Sequence, residues 1–196
     1  MENIAEISLT LPDWVDIFLN SKPDTFEAIE DRMRFVIELS RQNVLHKTGG
    51  PFGAAIFEQV SGRLVSVGIN RVVPLSCSLA HAEMMAFTFA QKKLQTFNLG
   101  LQTLPDHQLV TSAQMCAMCF GATPWSGVRN VVCGATAEDV ESLVGFDEGP
   151  IHPNWIQELN KRGISVQTNV LQSEACEVLK LYALSSGIVY NGCGKD

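Results

Sequence analysis

Two short motifs, His81-Ala82-Glu83 and Cys116-Ala117-Met118-Cys119, most constrain how this chain can fold. Each falls where a strand-like run gives way to a helix-like one, so a fold that uses both must bring two helix N-termini to one point. Neither decides the matter alone, because His-x-Glu recurs by chance and Cys-x-x-Cys serves redox, structural and incidental roles. Together they supply one imidazole and two thiols. That is the protein share of a catalytic zinc site, three ligands with the fourth position open for a bound water or hydroxide. The free N–H groups and dipole of a helix N-terminus favour the thiolate form that ligates. Glu83, placed near His81 without being forced to ligate, suits a proton carrier for that water. The competing reading is a structural zinc with a solvent-facing glutamate; Cys77 joining His81 as a ligand would close the open position.

The surrounding pattern says what carries these motifs. After an irregular start, apolar residues at Phe26, Ile29, Met33, Val36, Ile37, Val44 and Leu45 predict an amphipathic helix from Asp24 to about Lys47, with Thr25 as its cap. Gly49, Gly50 and Pro51 stop it. Phe52 to Val60 and Arg63 to Asn70 read as a hairpin turning at Ser61 and Gly62. Leu79 to about Phe97 reads as a helix, His107 to Thr111 as a buried strand, Cys116 to Trp125 as a helix and Val128 to Cys133 as a strand. One or two helical turns follow over Ala137 to Leu143, then a loop rich in Gly, Pro and acids from Gly145 to Pro153. A helix over Asn154 to Lys161, a strand over Ile164 to Val170 and a last helix over Ser173 to Leu184 complete the series. Strands and helices alternating after a hairpin predict a three-layer α/β sandwich.

At 196 residues the chain fits one domain, and 46% hydrophobic with 18% charged residues is the composition of a globular protein. The net charge of −7, with scattered Lys and Arg, argues against long nucleic acid as a partner. Met1 to Asn20 carries Glu2, Glu6, Asp13 and Asp16 and lacks the apolar stretch of a signal or membrane span, so a cytoplasmic protein with no membrane partner is expected. Six cysteines without a secretion signal argue for buried thiols or metal ligands. Cys77, Cys133, Cys176 and Cys193 stand singly and read as small hydrophobes or incidental thiols. His107 and His152 have no partner motif and read as surface or structural histidines.

Over about residues 25 to 150 the sequence resembles the zinc-dependent nucleobase deaminases of the cytidine deaminase superfamily, whose signature is His-x-Glu followed by Pro-Cys-x-x-Cys. The likeness rests on Gly-Gly-Pro-Phe-Gly-Ala at 49 to 54, Asn70, His81-Ala82-Glu83 and Cys-x-x-Cys-Phe-Gly-Ala at 116 to 122, in that order. It implies a three-layer α/β/α sandwich around a central mixed five-stranded sheet. Within the superfamily the chain is most similar to the bacterial guanine deaminases of the cytidine deaminase type, through Gly145-Phe146-Asp147-Glu148-Gly149-Pro150 and the tail Val189-Tyr190-Asn191. By that likeness one Zn2+ per subunit is held by His81, Cys116 and Cys119, and Glu83 is the catalytic acid/base. Glu148, preferred over Asp147, meets the amino-amidine edge of the base and is a second proton shuttle. Asn70 and the backbone N–H of Ala82 bind its oxygen or nitrogen side, Phe52 stacks on the ring, and Tyr190 closes the pocket, from its own subunit or a partner's. The bland alternatives are core filling for Phe52, a turn for Asn70 and a solvated acidic loop for Asp147 and Glu148. One departure is Gln114-Met115 where the family usually has Glu-Pro; the ligands stay, and the entry to the helix is less predetermined.

These expectations combine into a single deaminase domain over 1–196, with an N-terminal extension at 1–23, a catalytic core at 24–170 and a C-terminal helix and tail at 171–196 covering the site. The reaction expected is hydrolytic deamination of guanine to xanthine and ammonia by a homodimer, with or without exchanged C-terminal segments. Alternatives are deamination of an aminotriazine such as ammeline, a nucleoside or a pterin; an RNA-editing deaminase shares the motifs but conflicts with the acidic charge. A different class altogether is a zinc-stabilised, non-catalytic subunit.

Overall fold

A computed structural model describes residues 7–191. Its sheet is built from β1 (Gly53–Glu58), β2 (Leu64–Ile69), β3 (His107–Ala113), β4 (Asn130–Ala135) and β5 (Ser165–Gln167), in the order β2-β1-β3-β4-β5. β1 runs antiparallel to both β2 and β3, whereas β3, β4 and β5 run parallel. The sheet is therefore mixed, as expected. Its central strands are buried along their whole length, which is why they read as continuous apolar runs rather than as alternating ones.

The helices are α1 (Trp14–Asn20), α2 (Ile29–Leu45), α3 (Val72–Leu75), α4 (Ala82–Leu94), α5 (Ala117–Ser126), α6 (Ala137–Leu143), α7 (Trp155–Asn160) and α8 (Gln172–Leu184). One core unites α2, α6 and α8 with one face of the sheet through Met33, Leu39, Phe57, Val110, Val132, Val140 and Leu179. The other unites α4, α5 and α7 with the opposite face through Ile56, Ala86, Leu109, Cys119, Val131 and Leu159. Helices thus cover both faces. At Gly68 an added Cβ would meet the Ala82 carbonyl oxygen at 2.0 Å, so the missing side chain lets α4 lie directly on β2.

Four expectations need correction. Thr25 does not cap a helix: Asp24 to Phe26 runs alongside the hairpin, with Thr25 bridging Arg63 and Leu64 N–H bonded to the Asp24 carbonyl. Burying Phe26 against Phe35 and Phe57 outweighs continuing the helix backwards, and α2 begins at Ile29 with Ala28 at its cap. Among the described residues the run before Asp24 is not irregular throughout: α1 docks through fully buried Val15, and Trp14 stacks on His46 at 5.2 Å between ring centroids. The helix expected from Leu79 instead starts at Ala82, after α3 and a turn. β5 is likewise shorter than the run Ile164 to Val170 suggested, since it pairs on one side only.

The topology gathers particular chain segments at one edge of the sheet. β2 ends, β1 begins and β3 and β4 end along that edge, as the pairings Gly53 with Ile69, Ala54 with Thr111 and Ala113 with Ala135 require. α6 and α7 lie on opposite faces, so the segment between them must cross over the same strand ends. The acidic loop is that crossing. Crevices beyond the carboxyl ends of parallel strands are the usual ligand sites of α/β folds.

Candidate active site

His81 and Cys116 occupy the N-cap positions of α4 and α5, both with extended backbone, and Cys119 sits in the first turn of α5. The two helix starts meet. His81 Nδ1 lies 3.5 Å from Cys116 Sγ and 3.7 Å from Cys119 Sγ. Zinc at about 2.3 Å from sulfur and about 2.0 Å from nitrogen, at tetrahedral angles, sets such atoms about 3.5 Å apart. The residues therefore fit the ion. Among the described residues this is the one His, Cys, Asp and Glu cluster of metal-binding geometry, and Cys77 is not part of it.

The electrostatics match a site made for a cation. Hydrogen bonds from Cys119 and His81 hold the Cys116 thiol down at about 4. The same bond to Cys116, together with burial, pushes Cys119 well up. Burial works against a charged His81, but the hydrogen bond and charge of Cys116 outweigh it and raise its pKa. Glu83, in the first turn of α4, is 6% exposed; its Oε1 accepts from the Thr111 hydroxyl at 3.2 Å and its Oε2 from the Cys119 thiol at 3.4 Å. Burial, then the charge of Cys116, raises its pKa.

Beside this cluster opens a small cleft lined by Phe52, Asn70, Gln114, Phe146, Asp147, Glu148 and Tyr190, as well as His81, Glu83 and Cys116. Glu148 is buried, and burial followed by the charges of Cys116 and Glu83 pushes its carboxyl up to about 9. Its surroundings therefore favour the neutral carboxyl. Its backbone carbonyl accepts the Ala117 N–H at 2.9 Å, fastening the acidic loop to the start of α5. Asp147 is exposed and shapes the loop, its Oδ1 accepting the Gly149 N–H at 2.8 Å. Gly149 takes φ +73°, a turn that glycine adopts without strain. Asn70, almost wholly buried, donates its side-chain amide to the Tyr190 hydroxyl. Phe52 meets Phe146 edge to face at 5.3 Å, and Phe146 meets Tyr190 at 5.1 Å. The Ala82 side chain is buried off the cleft, while its N–H heads α4, where helical N–H groups lack intrahelical partners.

Of the site residues expected from the sequence, all but Cys119 and the Ala82 side chain line this cleft, and Cys119 completes the cluster beside it. It adds Gln114 and Phe146 to the lining and Thr111 behind Glu83. Phe146 had a signal, an aromatic between a glycine and two acids in the loop; Thr111 had none, because its meaning depends on what lies across the sheet edge. The Gln114-Met115 departure is absorbed by packing. Gln114 N–H bonds to the Ala135 carbonyl at 2.8 Å, and Met115 is fully buried with Thr123 Oγ1 3.1 Å from its sulfur, so strand pairing and burial fix the entry to α5 without a proline. His107 is buried with Nδ1 2.8 Å from the Leu99 carbonyl, and exposed His152 accepts the Asn154 N–H at 3.1 Å; neither touches the site. Cys133 and Cys176 are buried, Cys77 half-buried, and Cys193 lies outside the described residues.

Residues 27–135 match the family model for the cytidine and deoxycytidylate deaminase zinc-binding region. The chain belongs to that family. Zinc is the metal of the family, and His81, Cys116 and Cys119 are the residues positioned for it. The chain is 33% identical over 123 residues to the guanine deaminase of Bacillus subtilis, covering 63% of this chain and 74% of that one. It is 26% identical over 129 residues to a tRNA-specific adenosine deaminase of Buchnera aphidicola, covering 66% and 77%. The solved guanine deaminase of Nitrosomonas europaea is 47% identical, with a TM-score of 0.86 over 91% of this chain and 97% of that one. A structure solved in complex with 2,6-diaminopurine is 48% identical, with a TM-score of 0.87 over 94% and 96%. No helix among the described residues is long and apolar enough to cross a membrane.

Proposed function

We propose that this family member is a guanine deaminase, converting guanine and water to xanthine and ammonia. The observation that carries the reading is one cleft with two buried carboxyls, Glu83 at the metal cluster and Glu148 across from it, beside the amide of Asn70. That set suits the amino-amidine edge and carbonyl of guanine. The likeness to the Nitrosomonas enzyme over nearly the whole chain supports the same substrate.

Zinc, when bound, lowers the pKa of a water towards neutrality. Glu83, beside the residues that would hold the ion, takes a proton from the attacking water as the water oxygen adds to C2 of the base. Glu148, neutral and buried, donates to the ring nitrogen and steadies the tetrahedral carbon. Glu83 then passes its proton to the exocyclic nitrogen, the C–N bond breaks and ammonia leaves; as the C2 carbonyl forms, Glu83 takes the proton of the C2 hydroxyl and releases it to solvent, from which Glu148 is reprotonated. Asn70 and the Ala82 N–H hold the far side of the base, and Phe52 lies against its ring. The test is xanthine and ammonia release by the zinc-loaded protein from guanine, compared with guanosine, cytosine, adenine and ammeline. Turnover of another of these in preference to guanine would sink the substrate; none at all would sink the enzyme.

The C-terminal segment is the cover of the site in this reading, and 24–170 its core. Asp147 N–H donates to Asn191 Oδ1 at 2.9 Å, Asn191 Nδ2 donates to the Gly145 carbonyl at 3.1 Å, and Tyr190 fills the cleft against Asn70. The room left, about 40 Å3, suits a water rather than a purine, so Tyr190 moves when the base enters. Asn191→Ala removes both clasping bonds, each worth about 1 kcal/mol. Amide exchange at residue 147 is then expected to quicken about thirtyfold, with zinc content unchanged. The assembly inferred is a cytoplasmic homodimer, joined through the outer face of α5, where Trp125 is 85% exposed beside Phe120 and Pro124. Sedimentation of the zinc-loaded protein as a monomer would overturn it.

A further inference from the structure

We propose that Thr111 is a positioning residue for Glu83, one that fixes which carboxylate oxygen faces the metal. The inference rests on the proton-carrying role of Glu83 given above and concerns a residue outside the cleft.

Glu83 has two side-chain partners, one on each oxygen: the Thr111 hydroxyl on Oε1 and the Cys119 thiol on Oε2. They are not equivalent. A sulfur that ligates zinc does so as a thiolate and has no proton to give. With the Cys119 sulfur engaged by a metal, its bond to Oε2 would be lost. Thr111 is then the remaining side-chain donor to Glu83 among the described residues. Oε1 stays held and Oε2, on the Cys119 side, is free to meet a water beside the ion.

Thr111 is well built to hold it. The residue lies in the central strand, paired with Ala54 on one side and Cys133 on the other, and is 1% exposed. Its β-branched side chain is stiff about χ1, whereas the glutamate it bonds has three rotatable bonds. The sheet thus lends its rigidity to a flexible carboxylate on the first turn of α4. Because Thr111 does not line the cleft, it acts on the chemistry and not on the binding of the base.

The test compares zinc-loaded wild type, Thr111→Val and Thr111→Ser. Valine keeps the shape and loses the donor. It is expected to keep one zinc per chain, leave KM for guanine within about threefold and lower kcat by roughly 10- to 100-fold. Serine restores the donor and kcat to within about threefold. A crystal structure of zinc-loaded Thr111→Val is expected to show the Glu83 carboxylate in a different rotamer with the metal ligands unmoved. If the valine chain does not fold, Thr111→Ala carries the same expectations. The proposal falls if Glu83 keeps its place without the hydroxyl, if kcat is unchanged, or if serine is no better than valine. Should wild type leave guanine untouched, the substrate reading fails by itself, and the rotamer of Glu83 still decides this one.

Discussion

Replacing Glu83 with glutamine is expected to lower turnover by about a thousandfold or more while leaving zinc content and fold intact. Glutamine has the same shape, and its carbonyl oxygen still accepts the Thr111 hydroxyl, so the buried position stays filled and bonded. What it cannot do is carry a proton. General acid or base catalysis by one positioned group is worth about 10²- to 10⁴-fold, and Glu83 is used repeatedly in the cycle, on the water, on the departing nitrogen and on the C2 hydroxyl. The check is kcat of Glu83→Gln against wild type, alongside metal analysis and a thermal melt. Turnover near the wild-type rate would show that another group moves the proton.

Stripping the metal is expected to abolish turnover and also to loosen the protein. The ligands come from two helix starts, His81 from α4 and Cys116 and Cys119 from α5, so the ion ties two separate elements together. Zinc present at about a thousand times its dissociation constant contributes about 4 kcal/mol to the folded state. For a chain of this size that corresponds to a fall of roughly 8 to 16 °C in Tm on removal. Cys119→Ala should behave like the stripped protein and not recover on adding zinc. Metal analysis, melting and ammonia release before and after chelation, then after zinc is returned, make the measurement. Full activity after complete removal would end the zinc reading.

The two expected losses differ in kind, and the difference separates the functions that share these motifs. A zinc-stabilised subunit without turnover would lose its melting temperature on chelation and show nothing for Glu83→Gln. A deaminase shows both. The burial of Glu83 and Glu148 favours the second, since neither carboxyl is a solvent-facing bystander. A buried carboxyl is costly unless it is used or well bonded, and burial pushes Glu148 towards its neutral form.

The metal ligands were legible because three chemically distinctive side chains in two short motifs leave few other uses, and a helix start is a local feature. The layered fold was legible for a related reason: alternation of apolar strands and amphipathic helices is written in periodicity. Boundaries were not. Thr25 was available as a cap, but a hairpin far along the chain offered Asp24 to Phe26 a better place.

By itself, then, the sequence determined the ion and the residues able to grip it, since that depends on side-chain chemistry and on spacing within single elements. Only the tertiary structure decided that Glu148 is buried while Asp147 stays exposed, that Tyr190 lies on Asn70, and that Thr111 stands behind Glu83. Those relations join residues remote in the chain. They are set by strand order and by a loop that must cross the sheet edge to connect helices on opposite faces, and no local pattern encodes them.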